Sequence, residues 1–93
     1  MRRRGQRRLN YNFNQRYFKP RGIPLRELDE LSITYEELEV LRLRYLEHID
    51  QVAAATRMGI SQSQYQRDLT SVLEKITKAL IEGYAINIMD RDV

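Results

Sequence analysis

The stretch that decides the fold runs from Gln51 to Leu69, QVAAATRMGISQSQYQRDL. Its spacing predicts two helices joined by a tight turn, because Ala55 is small where the helices cross and Gly59 fits the turn. Ser61 is expected to cap the second helix, and Tyr65 to pack that helix against the first. The segment therefore predicts a helix-turn-helix, and a purely structural helical hairpin is the alternative.

The residues around this stretch predict further helices. Thr34 and Glu37 have capping-box spacing at the start of the preceding helix. The apolar stripe of this helix that is expected to face the core consists of Tyr35, Leu38, Leu41, Tyr45 and Leu46. Glu36, Glu39 and Glu47 are expected to lie off this stripe. The helix that begins after Ser61 is expected to continue to Glu82 and to end at Gly83. Its predicted core stripe consists of Tyr65, Leu69, Val72, Leu73, Ile76 and Leu80.

Two short strands are predicted outside the helices. Residues 9–18, LNYNFNQRYF, alternate apolar and polar side chains, as a half-buried strand does, and residues 84–89, YAINIM, show a similar pattern. These strands are expected to pair with each other or across a dimer. Pro24 is expected to start a short helix that runs through Leu31. The predicted fold class is mainly α, with a helix-turn-helix core and short N- and C-terminal β-strands.

Charge divides the chain into two unequal parts. Residues 1–26 contain nine of the 16 lysines and arginines and no acid, whereas residues 27–93 contain the other seven and all 13 acids. The formal charges of the two parts are therefore +9 and −6, which sum to the net +3. We interpret residues 1–18 as a basic arm plus a candidate strand, and residues 19–93 as the helix-turn-helix domain. Such an arm favours binding to phosphates, although a solvated tail has the same composition.

The candidate site follows from these two interpretations. In a helix-turn-helix the second helix enters the major groove, where Gln can bond adenine and Arg can bond guanine. The side chains expected to contact DNA are Ser61, Gln62, Ser63, Gln64, Gln66, Arg67, Arg57, Arg2, Arg3, Arg4, Arg7 and Arg8. The segment 51–69 itself carries only one net positive charge, so the arm is expected to supply most of the affinity.

The composition gives little support to other functional classes. The chain has no cysteine, and its single histidine, His48, is expected at a helix end rather than in a catalytic pair with Asp50. We therefore expect neither enzymatic activity nor a metal or other cofactor. No apolar run approaches the length of a membrane span, and no apolar segment follows the arginines as in a secretory signal, so a cytoplasmic, nucleoid-associated protein is expected. A chain of 93 residues has a thin core, which favours a homodimer.

Four segments resemble domain-of-unknown-function family 134, small bacterial and archaeal proteins that are described as predicted DNA-binding proteins. They are YFKPRGIPLREL (17–28), LSITYEELEVLRLRYLE (31–47), QVAAATRMGIS (51–61) and ALIEGYAINI (79–88). The family's helix-turn-helix is similar to region 4 of sigma-70 factors, so the resemblance implies transcription-type DNA binding. This chain departs from the family pattern by lacking its cysteines and by having Gln62 in place of Arg, Asp68 in place of an apolar residue, and His48 in place of Gly.

Three functional hypotheses follow. The first is a dimeric, sequence-specific DNA-binding protein that acts as a transcriptional regulator. The second is a non-specific DNA or RNA binder in which the arm dominates. The third is a protein-interaction or assembly module that uses the helix-turn-helix as a scaffold, which the acidic body and Asp68 favour.

Overall fold

The computed structural model describes residues 8–91. Three α-helices form the body, and three strands form a small sheet beside them. The elements are β1 (Arg16–Phe18), a 3-10 turn (Leu25–Glu27), β2 (Glu30–Thr34), α1 (Tyr35–Tyr45), α2 (Gln51–Met58), α3 (Gln62–Glu82) and β3 (Ala85–Met89). The helices and the terminal strands agree with the predicted mainly α class.

The helix ends form largely as their capping residues predict. Thr34 and Glu37 make both bonds of the capping box: the Thr34 hydroxyl accepts from the Glu37 N–H at 3.1 Å, and the Glu37 carboxylate accepts from the Thr34 N–H at 2.9 Å. Gly59 and Gly83 end α2 and α3 in the left-handed region, at φ 72° and 76°. Ser61 caps α3 by accepting from the Gln64 N–H at 3.0 Å. These local signals fix where α1 begins and where α2 and α3 end.

The three helices pack around one buried cluster. It consists of Val40, Leu43, Ala54, Ala55, Met58, Tyr65 and Leu69. Tyr65 is fully buried, and its hydroxyl donates to the Val40 carbonyl at 2.6 Å, which joins α3 to α1. Burial disfavours the phenolate and raises the pKa of Tyr65 to about 12. The side chain expected to hold α3 in place therefore does so, although its hydroxyl contacts α1.

The sheet brings the two ends of the domain together. β3 is the central strand, antiparallel to β1 and parallel to β2. Phe18 pairs with Ile86 on one side of β3, and Leu31 pairs with the same residue on the other side. The predicted N- and C-terminal strands therefore pair with each other within one chain.

The strand predicted over residues 9–18 is wrong for residues 9–15. Only Arg16–Phe18 forms a strand, opposite Ile86–Ile88. Earlier along the chain, the backbone N–H of Asn10 donates to the Glu39 carboxylate at 2.9 Å instead of to a strand. Phe13 stacks on Tyr35 of α1, with the ring centroids 5.6 Å apart. The aromatic residues in this segment thus pack on a helix, which period-two alternation does not reveal.

The short helix predicted through Leu31 is also wrong. The helical conformation is confined to the 3-10 turn Leu25–Glu27, and β2 begins at Glu30. Leu31 and Ile33 pair with Ile86 and Ile88 of β3, and Ile33 is fully buried. The pairing with β3 outweighs the helical spacing of the leucines, which is a weak local preference.

The core stripes predicted for α1 and α3 need correction. Tyr45 and Leu46 are 50% and 74% exposed, whereas Glu39 is completely buried among the residues that face α2 and α3. On α3, Leu80 is 72% exposed and the neighbouring Ala79 is buried. In both helices the buried face is rotated from the predicted one, because single apolar positions do not determine which side meets the neighbouring helices.

Candidate nucleic-acid interface

The turn between α2 and α3 fixes how α3 begins. The N–H groups of Gly59 and Ile60 donate to the carbonyls of Thr56 and Ala55, each at 3.1 Å, which closes the last turn of α2. Ala55 and Met58 are buried beneath the turn. Consequently the first two turns of α3 follow a hydrogen-bonded turn, and their outer side is open to solvent.

The outer side of these two turns is polar. We call this surface the recognition face, and it consists of Ser61, Gln62, Ser63, Gln66 and Arg67, all of which are exposed. Gln64, predicted at its edge, is half-buried. The face offers hydroxyl, amide and guanidinium groups, which are the groups that bond base edges and phosphates.

Gln64 links two charged side chains at this edge. Its amide oxygen accepts from the Arg67 guanidinium at 2.9 Å, and its amide nitrogen donates to the Asp68 carboxylate at 2.7 Å. Ser61 therefore caps α3 as predicted, but without a reciprocal bond from Gln64, since the Gln64 side chain is used here instead of at the helix start. As a result, Arg67 is oriented by a neutral amide, and Asp68 is also engaged by that amide.

Arg8, the first described residue, lies against the turn. Its backbone N–H donates to the Met58 carbonyl at 3.1 Å, and its guanidinium donates to the Thr56 carbonyl at 3.1 Å. The guanidinium also lies so close to Gly59 that a Cβ atom added to this residue would be 3.0 Å from its nearest nitrogen. A cation here complements the negative end of the α2 dipole. Arg8 itself is thereby held at the end of α2, next to the turn that leads into α3.

The other predicted arginines fall into two groups. Arg57 is exposed in the last turn of α2, on the same side of the molecule as the turn. Arg2, Arg3, Arg4 and Arg7, which are also predicted to contact DNA, lie outside the described residues. Within the described part, Arg8 and Arg57 thus lie at the α2 end, close to the start of α3.

A buried ion pair holds the segment that follows Arg8. Glu39 accepts two hydrogen bonds from the Arg42 guanidinium, at 2.7 and 3.0 Å, and a third from the Asn10 N–H at 2.9 Å. These bonds to Glu39 raise the pKa of Arg42 above its ordinary value. The Arg42 guanidinium also lies 5.0 Å from the centre of the Tyr11 ring. α1 therefore sets the path of the chain from residue 13 back to Arg8.

The family model described as "Protein of unknown function DUF134" matches residues 1–92. The chain belongs to this family. Its relatives include a "UPF0251 protein" of Halothermothrix orenii, 44% identical over 94% of this chain and 64% of the relative. A "UPF0251 protein" of Methanosarcina acetivorans is 44% identical over 99% of this chain and 56% of the relative. Another, of Desulforudis audaxviator, is 49% identical over 77% of this chain and 47% of the relative.

This DUF134 chain spans about half to two thirds of the length of the curated relatives it matches. No solved structure matches it. Among residues 8–91, no helix is both long and apolar enough to span a membrane, and no three His, Cys, Asp or Glu side chains converge as metal ligands would.

Two departures of this chain from the DUF134 pattern have a structural account. His48 adopts a φ of 58°, so it takes the left-handed conformation that glycine would take after α1. Asp68 is half-buried and bonded to Gln64, so a polar residue is accommodated where the family pattern has an apolar one. Gln62 is exposed on the recognition face, so this face carries a neutral amide at the position where the resemblance implies an Arg.

Sequence reasoning missed Glu39, Arg42 and Asn10. Glu39 was assigned to the solvated side of α1, because the apolar stripe was placed on the wrong side of the helix. The available signal was the spacing of Glu39 and Arg42, three residues apart on one helix, which permits an ion pair. Nothing local predicts that Asn10 binds the same carboxylate, since 29 residues separate them.

Proposed function

We propose that the chain is a DNA-binding protein, a transcriptional regulator of the nucleoid, which places the start of α3 in the major groove. Three features support this proposal. The recognition face is exposed and polar, the turn that precedes it is closed by hydrogen bonds, and Arg8 bonds the end of α2 beside that turn, where Arg57 is also exposed. A helix-turn-helix uses its second helix in this way.

The single observation that carries the proposal is the pair of bonds from Arg8 to the carbonyls of Met58 and Thr56. Because the chain is continuous, the four arginines before Arg8 can lie no farther from it than an extended backbone allows, about 3.5 Å per residue. Arg8 and the recognition face thus lie at the same end of the molecule, and we infer that the arginines of the arm act there. An arm that only improved solubility has no need of this placement.

The two parts divide the work of binding. Amides and hydroxyls on the recognition face discriminate between bases, because each base pair presents a distinct pattern in the major groove. Arginines of the arm release counterions from phosphates and supply affinity that does not depend on sequence. The arm then sets the strength of binding, and α3 sets the choice of site.

The experiment compares two triple variants of equal charge. One variant replaces Arg2, Arg3 and Arg4 with Gln, and the other replaces Arg16, Arg21 and Arg26, which are exposed around β1 and the 3-10 turn. β1 leads to Pro20, whose ring lies 4.0 Å from the side-chain position of Gly83, at the opposite end of α3. Fluorescence anisotropy measures the affinity of each protein for duplex DNA as the salt concentration is varied.

We expect the slope of log affinity against log salt to fall by about 0.9 for each arm arginine that contacts a phosphate. The control variant keeps the slope of the unaltered protein, because its charges lie at the far end of α3. Equal slopes for the two variants contradict the placement of the arm. Absence of binding by the unaltered protein at low salt contradicts DNA binding itself and favours the assembly module.

A further inference from the structure

The second half of α3 carries an apolar surface that its own core does not use. We call it the apolar stripe, and it consists of Leu73, Thr77, Leu80 and Ile81. Leu80 and Ile81 are 72% and 79% exposed, and Leu73 is 38% exposed. Leu73, Thr77 and Ile81 recur every four residues, so they lie in one row along the helix, and Leu80 lies beside that row, three residues from Thr77. A contiguous exposed apolar patch is a feature of interaction surfaces.

The apolar stripe is distinct from the buried side of α3. The buried residues Leu69, Val72 and Ala79 recur at helical spacing on one side. At 100° per residue the stripe is centred about 110° around the helix from them, just under a third of a turn. Beyond Leu80 the apolar surface continues into a groove that is lined by Phe18, Pro20, Tyr84 and Ile86. Phe18 is itself 54% exposed.

Charges beside the stripe identify the partner. Glu74 and Lys78 are four residues apart, so they lie on the same flank of the stripe, away from the core. Within residues 8–91 no ion pair involves Glu74, whereas Lys78 makes an exposed pair with Glu82 at 3.2 Å. Exposed pairs of this kind contribute little, so Lys78 can exchange its partner at small cost. When a second copy of the helix runs in the opposite direction, the acid of each copy faces the base of the other.

We propose that the apolar stripe is the interface of a homodimer in which α3 packs antiparallel against α3 of a second copy. A two-fold axis that crosses the stripe near Thr77 sets Leu73 of each copy against Ile81 of the other. It also brings Glu74 of each copy within one helical turn of Lys78 of the other. Because a two-fold interface repeats every contact, both the apolar pair and the ion pair form twice.

The dimer would space the two recognition faces, and this step rests on the proposed function. Residues 62–67 lie about 12 residues from Thr77, so at 1.5 Å per residue their midpoints are at most about 38 Å apart along antiparallel helices. Successive major-groove half-sites on one side of DNA are about 34–36 Å apart. Only residues near 72–82 overlap in this arrangement, which leaves both recognition faces uncovered.

The test measures molar mass by light scattering coupled to gel filtration, from micromolar to hundreds of micromolar protein. The unaltered chain is expected to reach 22.2 kDa, twice its 11.1 kDa. Ile81→Glu should weaken dimerisation about a hundredfold, because symmetry places the new charge in the interface twice. Leu46→Glu is the matched control, since Leu46 is 74% exposed at the C-cap of α1, outside the stripe, and it should leave the mass unchanged.

A charge reversal separates a second copy from other forms of association. Glu74→Lys should weaken the dimer by placing like charges together, and adding Lys78→Glu should restore it. A monomer at every concentration overturns the proposal, and so does a dimer that Ile81→Glu and Glu74→Lys leave unchanged. Since the measurement contains no DNA, a negative result leaves the proposed DNA binding untouched. Likewise, failure to bind DNA leaves the proposed dimer untouched.

Discussion

Glu39 is the residue on which the arrangement of the N-terminal segment depends. Its carboxylate is fully buried, yet each of its three described bonds goes to a group that the structure needs to position: two to Arg42 and one to the backbone of Asn10. A buried charge of this kind adds little net stability when it is paired, but removing one partner is costly because the other is left uncompensated. Glu39 therefore contributes mainly by positioning Arg42 and the backbone at Asn10.

We expect Glu39→Ala to lower the free energy of unfolding by about 3–4 kcal/mol, because Arg42 loses a buried partner. Glu47→Ala is the matched control, since Glu47 bonds the same guanidinium at 2.9 Å but is 48% exposed, and its loss should cost less than about 1 kcal/mol. Urea denaturation followed by circular dichroism measures both. Equal losses for the two variants contradict the account of Glu39.

Single residues with local roles were predictable from the sequence, whereas residues with distant partners were not. Thr34, Gly59 and Ser61 satisfy backbone groups within their own helix ends, so spacing alone identified them. Glu39 and Leu80 depended on which side of α1 or α3 meets the rest of the fold. That choice is made by long-range packing, and one apolar residue in a short helix does not determine it.

The α2–α3 turn is the element that joins the arm to the recognition face. Gly59 serves it twice: its φ of 72° ends α2, and its missing side chain leaves room for the Arg8 guanidinium. Gly22 has a similar φ of 82°, but among residues 8–91 nothing beyond its two chain neighbours lies within 4 Å of the position its side chain would take. The pair separates the effect of backbone conformation from the effect of the contact with Arg8.

We expect Gly22→Ala to cost about 1–2 kcal/mol, which is the penalty for a side chain in the left-handed region. Gly59→Ala should cost about 1 kcal/mol more, because the new methyl group displaces Arg8 from its carbonyl partner. In an Arg8→Ala background this surplus should vanish. Thermal denaturation of the four variants measures it, and a surplus that survives Arg8→Ala shows that the close contact does not matter.

Elements were predictable where their signals lie within the element. The end of α2 and both bounds of α3 follow from caps and glycines, and the structure confirms them. The C-terminal strand predicted from alternation at 84–89 forms at Ala85–Met89. β2 was missed because its residues form a strand only beside β3, more than 50 positions later. Residues 9–15 were misassigned because Phe13 packs on Tyr35 rather than in the sheet. The division into an arm at 1–18 and a domain at 19–93 stays a prediction.

At the scale of the whole molecule, α3 orders the surfaces along one axis. Its start carries the recognition face beside Arg8, and its second half carries the apolar stripe beside β1 and β3. About 30 Å separates the two ends of a helix of this length. The contacts of Arg8 and Asn10 place the start of the described chain against α2 and α1, and composition does not reveal these contacts. The proposed DNA contact and the proposed dimer contact lie at different ends of α3, so the two proposals are compatible.

The central claim is that the recognition face chooses the DNA sequence. The most direct measurement is selection of bound duplexes from a random DNA pool, with the unaltered protein, Gln62→Ala, Arg67→Ala and a variant that lacks residues 1–7. We expect the unaltered protein and the arm deletion to select the same motif, the deletion with weaker binding, and the two α3 variants to lose preference at separate positions of it, since each lost base contact removes about 1–3 kcal/mol of discrimination. Selection of one motif by all four proteins, or of none by the unaltered protein, would contradict the claim.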